Sequence, residues 1–202
     1  MSEWEYGQEI WNGLMSDINN EFGVAGLMGN LVNESGLIPF RVQGDFSSGY
    51  TTSREYTEQV DSGAVSEYTF VHTEQGYGLA QWTYYSRKQG LYDEHISSGK
   101  SIGSVDVGVS YLLWELKNNY TNVYDVLVNT NSILEASNIV LHDFESPADQ
   151  SEEVELARYK SGVEVYTTYT GSEPKPPTPA PTTKKRIKRL LPYAPLWFFY
   201  KG

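Results

Sequence analysis

The sequence predicts a mainly helical α+β domain, interrupted by one small irregular or β-containing excursion and followed by an extended C-terminal tail. Three observations carry that reading. Apolar residues recur at three- and four-residue spacing through most of the first 172 residues. Between about 38 and 82 the periodicity weakens. From Pro174 to Pro181 the chain reads PKPPTPAP, a run of prolines without apolar spacing that forms an extended spacer and joins no packed core. The expected division is a body over 1–172, a linker over 173–183 and a basic, aromatic tail over 184–202.

Along the body, Trp4, Ile10, Trp11, Leu14, Met15 and Ile18 form one stripe and predict a helix over about 3–19. Val24, Leu27, Met28 and Leu31 form a second, which Ser35 continues. Within the excursion, Ser53–Val60 reads as helix and Ala64–His72 as short β structure. Ser104 suits the cap of a helix holding Val107, Tyr111, Leu112, Trp114 and Leu116, ended by Asn118-Asn119. Shorter helices are expected at about 122–129 and 132–145. A long one should follow Pro147 in its first turn and run through Val154, Ala157, Tyr159, Val163 and Tyr166.

Of the 202 residues, 39% are hydrophobic and 20% charged, enough apolar side chain for a real core. The net charge of −11 conceals an asymmetry. Residues 1–173 carry all 26 acidic and 8 of the 15 basic residues, a net −18, whereas 174–202 carry the other 7 basic residues and no acid. The acidic total argues against a nucleic-acid partner, which needs basic surface against the phosphates. The absence of cysteine excludes disulfides and thiolate metal sites. His72, His95 and His142 lack a spacing suited to zinc, and neither metal nor cofactor is expected. The N-terminus, MSEWEYGQEI, is acidic and has no apolar signal region, so synthesis in the cytoplasm without a signal peptide is expected.

Two segments carry candidate chemistry. Glu34 lies about 20° from Leu27 on a helical wheel, beside Leu31 at the edge of the apolar stripe. It stands at the helix's C-terminal end, where Ser35-Gly36 stops the run. Burial and the negative end of a helix dipole favour a protonated carboxyl, the state a general acid needs. A solvated glutamate at a helix end fits the same pattern. The second segment, Gly76-Tyr77-Gly78-Leu79-Ala80-Gln81-Trp82-Thr83, offers tight backbone, two aromatic faces and an amide, the groups with which proteins hold sugars. A glycine-rich turn packing its aromatics inward is the alternative.

Taken together, these segments resemble the phage tail lysozyme family, within the larger lysozyme and lytic-transglycosylase superfamily. Ala25–Gly36 resembles the family's glycine-asparagine helix ending in Glu-Ser. Gly76–Thr83 with Arg87 resembles its Gly-Tyr-Gly-Leu-x-Gln-Trp-Thr signature, and Phe144-Glu145-Ser146-Pro147 with Arg158 its C-terminal motif. The resemblance covers about 5–168 and implies a lysozyme-like fold whose excursion walls a glycan cleft. It further implies a muramidase that cuts peptidoglycan after N-acetylmuramic acid, with Glu34 as general acid. Tyr77 and Gln81 would hold sugar or position water, and Ser35, Trp82 and Thr83 complete the expected substrate contacts.

Glycosidases usually need a second carboxylate. Asp45, Asp61, Glu67 and Glu74 lie in the excursion, and Asp45 and Glu74 are the preferred candidates. Relatives that release an anhydro sugar do without one, so a lytic transglycosylase stays open. Glu145 reads as a helix boundary, with Arg158 or Arg87 as its expected partner. In the tail, Lys184–Arg189 holds five basic residues in six, followed by Trp197, Phe198 and Phe199. Such a segment suits docking to another tail protein, and also an anionic membrane or wall polymer. Three functions follow: a virion-borne muramidase opening the wall for genome delivery, a late-acting endolysin with a binding tail, and a non-catalytic tail structural or glycan-binding module.

Overall fold

Asn20 organises the first half of the domain. It ends the link after α1 (Gly7–Ile18) and caps α2 (Glu21–Ser35), its Oδ1 accepting from the Phe22 amide at 3.1 Å. Its Nδ2 donates to the carbonyls of Leu127 and Thr130 at 2.9 and 2.8 Å, tying this corner to the far half of the chain. The computed structural model describes residues 4–174; residues 175–183 of the expected linker and the whole expected tail, 184–202, lie outside them.

Helix α2 is the axis of the fold. Every residue from Gly23 to Leu31 is buried, so the helix is surrounded and not laid on a surface. Its glycines set the distance of its neighbours. A Cβ on Gly26 would lie 2.4 Å from the Ala136 Cβ, and one on Gly29 would lie 2.5 Å from the Gly162 amide nitrogen. Bare backbone at these positions brings in two later helices, α8 (Ile133–Ile139) and α9 (Glu152–Thr170).

The excursion runs from Gly36 to Tyr84. Its β content among the described residues is two isolated bridges, Val42 to Tyr77 and Tyr77 to Trp82. It contains α3 (Thr51–Asp61), entered through a short 3-10 turn at Ser48–Tyr50, and α4 (Glu67–His72). The short β structure expected over Ala64–His72 is therefore corrected. The Ser66 hydroxyl accepts from the Thr69 amide and caps a helical turn that buries Phe70 and Val71. Tertiary burial and a cap outweigh the β preference of Tyr-Thr-Phe-Val.

The remaining helices are α5 (Tyr85–Ser98), α6 (Val105–Asn118) and α7 (Thr121–Asn129), then α8 and α9. Ser104 caps α6 by accepting from the Val107 amide, as the sequence predicts. Helix α8 does not run straight to residue 145. It continues as a π-helical turn, Val140–Glu145, closed by Ser146 at φ 45°. Helix α9 starts at Glu152 behind Ser151, so Pro147 lies in the connection and not in the first turn. The domain is mainly α and lysozyme-like in composition of elements. No helix among the described residues is long and apolar enough to cross a membrane.

Candidate active site

The C-terminal end of α2 opens on a cleft of about 520 Å³. Gly36, at φ 65°, stops the helix one residue after Ser35, which leaves Glu34 in the cleft wall with 22% of its side chain exposed. Because Gly29 lets α9 approach closely, Arg158 reaches over α2. Its Nη2 donates to Glu34 Oε1 at 2.6 Å and its Nη1 to the Asn30 carbonyl at 3.4 Å. This is a partly buried ion pair holding the carboxylate in one orientation.

The facing wall comes from the Gly76–Thr83 segment. Tyr77 and Trp82 exchange backbone bonds of 3.1 and 3.0 Å, and the segment is clamped to residues 41–43. There Gly78 donates its amide to the Arg41 carbonyl, and the Gly76 amide donates to Gln43 Oε1. Gln81 sits at φ 47°, a left-handed conformation costly for a residue with a Cβ. Its Nε2 donates to the carbonyls of Arg41 and Gly78 at 3.1 and 2.9 Å. Oε1 is then the acceptor that Gln81 can offer the cleft it lines. Thr83, Tyr84 and Arg87 continue this wall.

The predicted site residues therefore divide. Glu34, Gln81 and Thr83 line the cleft together. Ser35, Tyr77 and Trp82 are buried and do not. Ser35 donates its hydroxyl to the Leu31 carbonyl, and the Tyr77 hydroxyl bonds Thr57 at 2.7 Å. The Trp82 indole donates to Glu115 at 3.0 Å. Both aromatic rings face the core because the loop's positive-φ residues, Gly78 and Gln81, turn the chain between them. They hold the wall's shape and offer no face to a sugar.

Neither preferred second carboxylate lines the cleft. Asp45 accepts from the amide and hydroxyl of Ser47 at 2.9 and 2.6 Å and from those of Ser53 at 2.8 and 2.6 Å. These four donors, the two hydroxyls foremost, hold its carboxyl far below the usual range. Both oxygens anchor the entry to α3. Glu74 borders a neighbouring hollow of about 410 Å³, which meets the cleft at Thr83 and Tyr84.

The carboxyl that does share the cleft with Glu34 is Glu145. It ends the π-helical turn, a helical form enriched at functional positions. Its Oε1 is sealed from solvent and makes no hydrogen bond. Burial, with the negative charge of Glu34 adding to it, pushes its carboxyl up to about 8, against the pull of Arg158 and Arg87. The expected pairing of Glu145 with an arginine is not made: Arg158 gives its two Nη groups to Asn30 and Glu34, and its buried Nε has no hydrogen-bond partner. Arg87 grips Glu115 through Nε and Nη2 at 2.5 and 2.8 Å while lying over the Phe144 ring. In the sequence Glu145 reads as a boundary; the signal that points inward is its place four residues after the buried Leu141, on one helix face.

Two carboxyls of unlike environment, one paired with an arginine and one shielded, beside an acceptor amide in an open groove, are equipped for acid–base work on a polar polymer. A comparison with curated proteins finds none that matches. The phage tail lysozyme profile matches residues 5–169, which takes in both cleft walls and both carboxyls. The chain accordingly belongs to the phage tail lysozyme family, peptidoglycan-degrading enzymes of phage.

Proposed function

We propose that this chain is a virion-associated N-acetylmuramidase that opens the host wall locally while the phage genome is delivered. The observation that carries the reading is the shared cleft. Glu34 ends a helix in one wall and Gln81, held in a strained conformation by its own amide bonds, lies in the other. Glu34 acts as general acid, delivering a proton to the glycosidic oxygen when the bound strand opens its pair with Arg158. Gln81 Oε1 accepts from a sugar hydroxyl or acetamido N–H and fixes the ring beside it.

The tail, 184–202, is proposed to dock on another tail protein, with the proline-rich linker letting the domain project. An acidic body searches an anionic wall poorly when free, a cost that matters little once a particle delivers it to one spot. The full chain on purified peptidoglycan tests the chemistry. Glu34→Gln should lower the rate of wall clearing by about 10²–10⁴-fold, whereas equal clearing by both proteins removes Glu34 from the mechanism. Detection of the chain in washed virions tests its placement; recovery only from the lysate points to a late-acting endolysin.

A further inference from the structure

We infer that Glu145 is the second carboxyl of this site, sharing a single proton with Glu34 and holding it while Glu34 stays paired with Arg158. The inference rests on the glycosidase reading above and assigns the group that reading leaves open. Four observations converge on it. Glu145 lines the same cleft as Glu34. One of its oxygens is sealed and unpartnered, which a neutral carboxyl tolerates far better than a carboxylate. It ends a π-helical turn, and the next residue, Ser146, is left-handed at φ 45°. The two expected alternatives, Asp45 and Glu74, lie outside the cleft.

The surroundings decide where the proton rests. Glu145 is faced by Glu34 from α2, Arg87 from α5, Glu115 from α6 and Arg158 from α9. Glu115 and Arg87 neutralise each other in a bidentate pair, and Arg158 is committed to Glu34. On its own turn, His142 bonds Gln150 and Glu155, and Asp143 accepts from Asn122. What remains is Glu34 with a guanidinium of its own and Glu145 without one. Of the two carboxyls in this cleft, the sealed one without a cation is the one that keeps a proton at rest.

The step then balances. At rest the pair carries one proton and one negative charge. As the glycosidic C–O bond breaks, its electron pair stays with the leaving oxygen, which takes the proton from the pair. Both carboxylates are then charged, facing Arg158 and Arg87. Water adds its oxygen to the anomeric carbon and returns a proton to the pair, restoring the resting state.

The test is a carbon-13 NMR titration of the full chain labelled at glutamate carboxyl carbons, read beside turnover on peptidoglycan. One carboxyl should titrate near pH 8, vanish in Glu145→Gln and move down in Glu34→Gln while staying above the ordinary range, since burial, the larger cause, remains. Glu145→Gln should also lower turnover by about 10²-fold or more without losing thermal stability. Glu145→Asp provides a second variant should the amide disturb folding; it should retain a carboxyl that titrates above the ordinary range. An ordinary titration of Glu145, no response to Glu34→Gln, or wild-type turnover in Glu145→Gln overturns the inference. An inactive wild-type chain whose Glu145 still titrates high and answers to Glu34→Gln overturns the glycosidase reading and leaves the shared proton standing.

Discussion

Glu145 and Asp45 show how a residue's surroundings set its part. Four hydrogen-bond donors surround Asp45, and none reaches the sealed oxygen of Glu145. Their effects on stability have opposite sign with pH. Glu145 is raised in the fold from an ordinary 4.5 to about 8, so its contribution is fully present below 4.5 and is lost as pH rises to 8. Glu145→Gln does not titrate, so its melting temperature should gain on that of the wild type across this window, read from paired melts at pH 4.5 and 8. A constant difference would remove the argument. Asp45 is depressed, so its contribution is present above the ordinary carboxylate range and lost as pH falls below it. Asp45→Asn should melt earlier than the wild type at pH 7, by a margin that closes in acid. Its turnover per folded molecule should stay within about twofold of wild type, since loss of a remote anchor leaves transition-state contacts intact. A large fall in turnover without a fall in stability would return Asp45 to the chemistry.

At the scale of elements, the small residues of α2 position the acid. Gly29→Ala would place a methyl 2.5 Å from the Gly162 amide nitrogen, which α9 can relieve only by moving away and carrying Arg158 with it. A loss of about 1–3 kcal/mol is expected from overpacking, measurable by denaturant melts, together with lower turnover that more substrate does not restore. The helices around this axis were legible because they obey simple rules: α1 and α2 from their stripes, α6 from its Ser104 cap. Helix α5 carries no stripe in the sequence because Leu91 and Lys88 are its only buried residues, too few to mark a face. Helix α4 looks like β structure in the sequence because its β-forming residues are held helical only by a local cap and by burial of Phe70 and Val71. The site was half legible for a related reason. Glu34, Gln81 and Thr83 lie where their motifs suggest, but the direction of Tyr77 and Trp82 depends on left-handed residues between them. Composition does not report that turn. Glu145 was hidden because a motif ending in Ser-Pro reads first as a boundary, and only the packing of α2, α5 and α9 around it reveals a cleft.

For the whole molecule, the acidic body is proposed to cut the wall and the basic tail to dock the chain. Removal of 184–202 should leave turnover on purified peptidoglycan within about twofold, because the cleft residues named above, Glu34, Gln81, Thr83 and Glu145, all belong to the body. It should abolish incorporation into virions, scored by blotting of washed particles. A truncated chain that still enters particles would move the docking contact onto the body.

The most direct measurement of the central claim is the mass of the fragments that the full chain releases from purified peptidoglycan. A muramidase releases disaccharide-peptide units ending in a reducing N-acetylmuramic acid, each carrying one added water, and these are the expected products. Ends lighter by that water would make the chain a lytic transglycosylase, and intact glycan strands with cut peptide stems would contradict a glycosidase altogether.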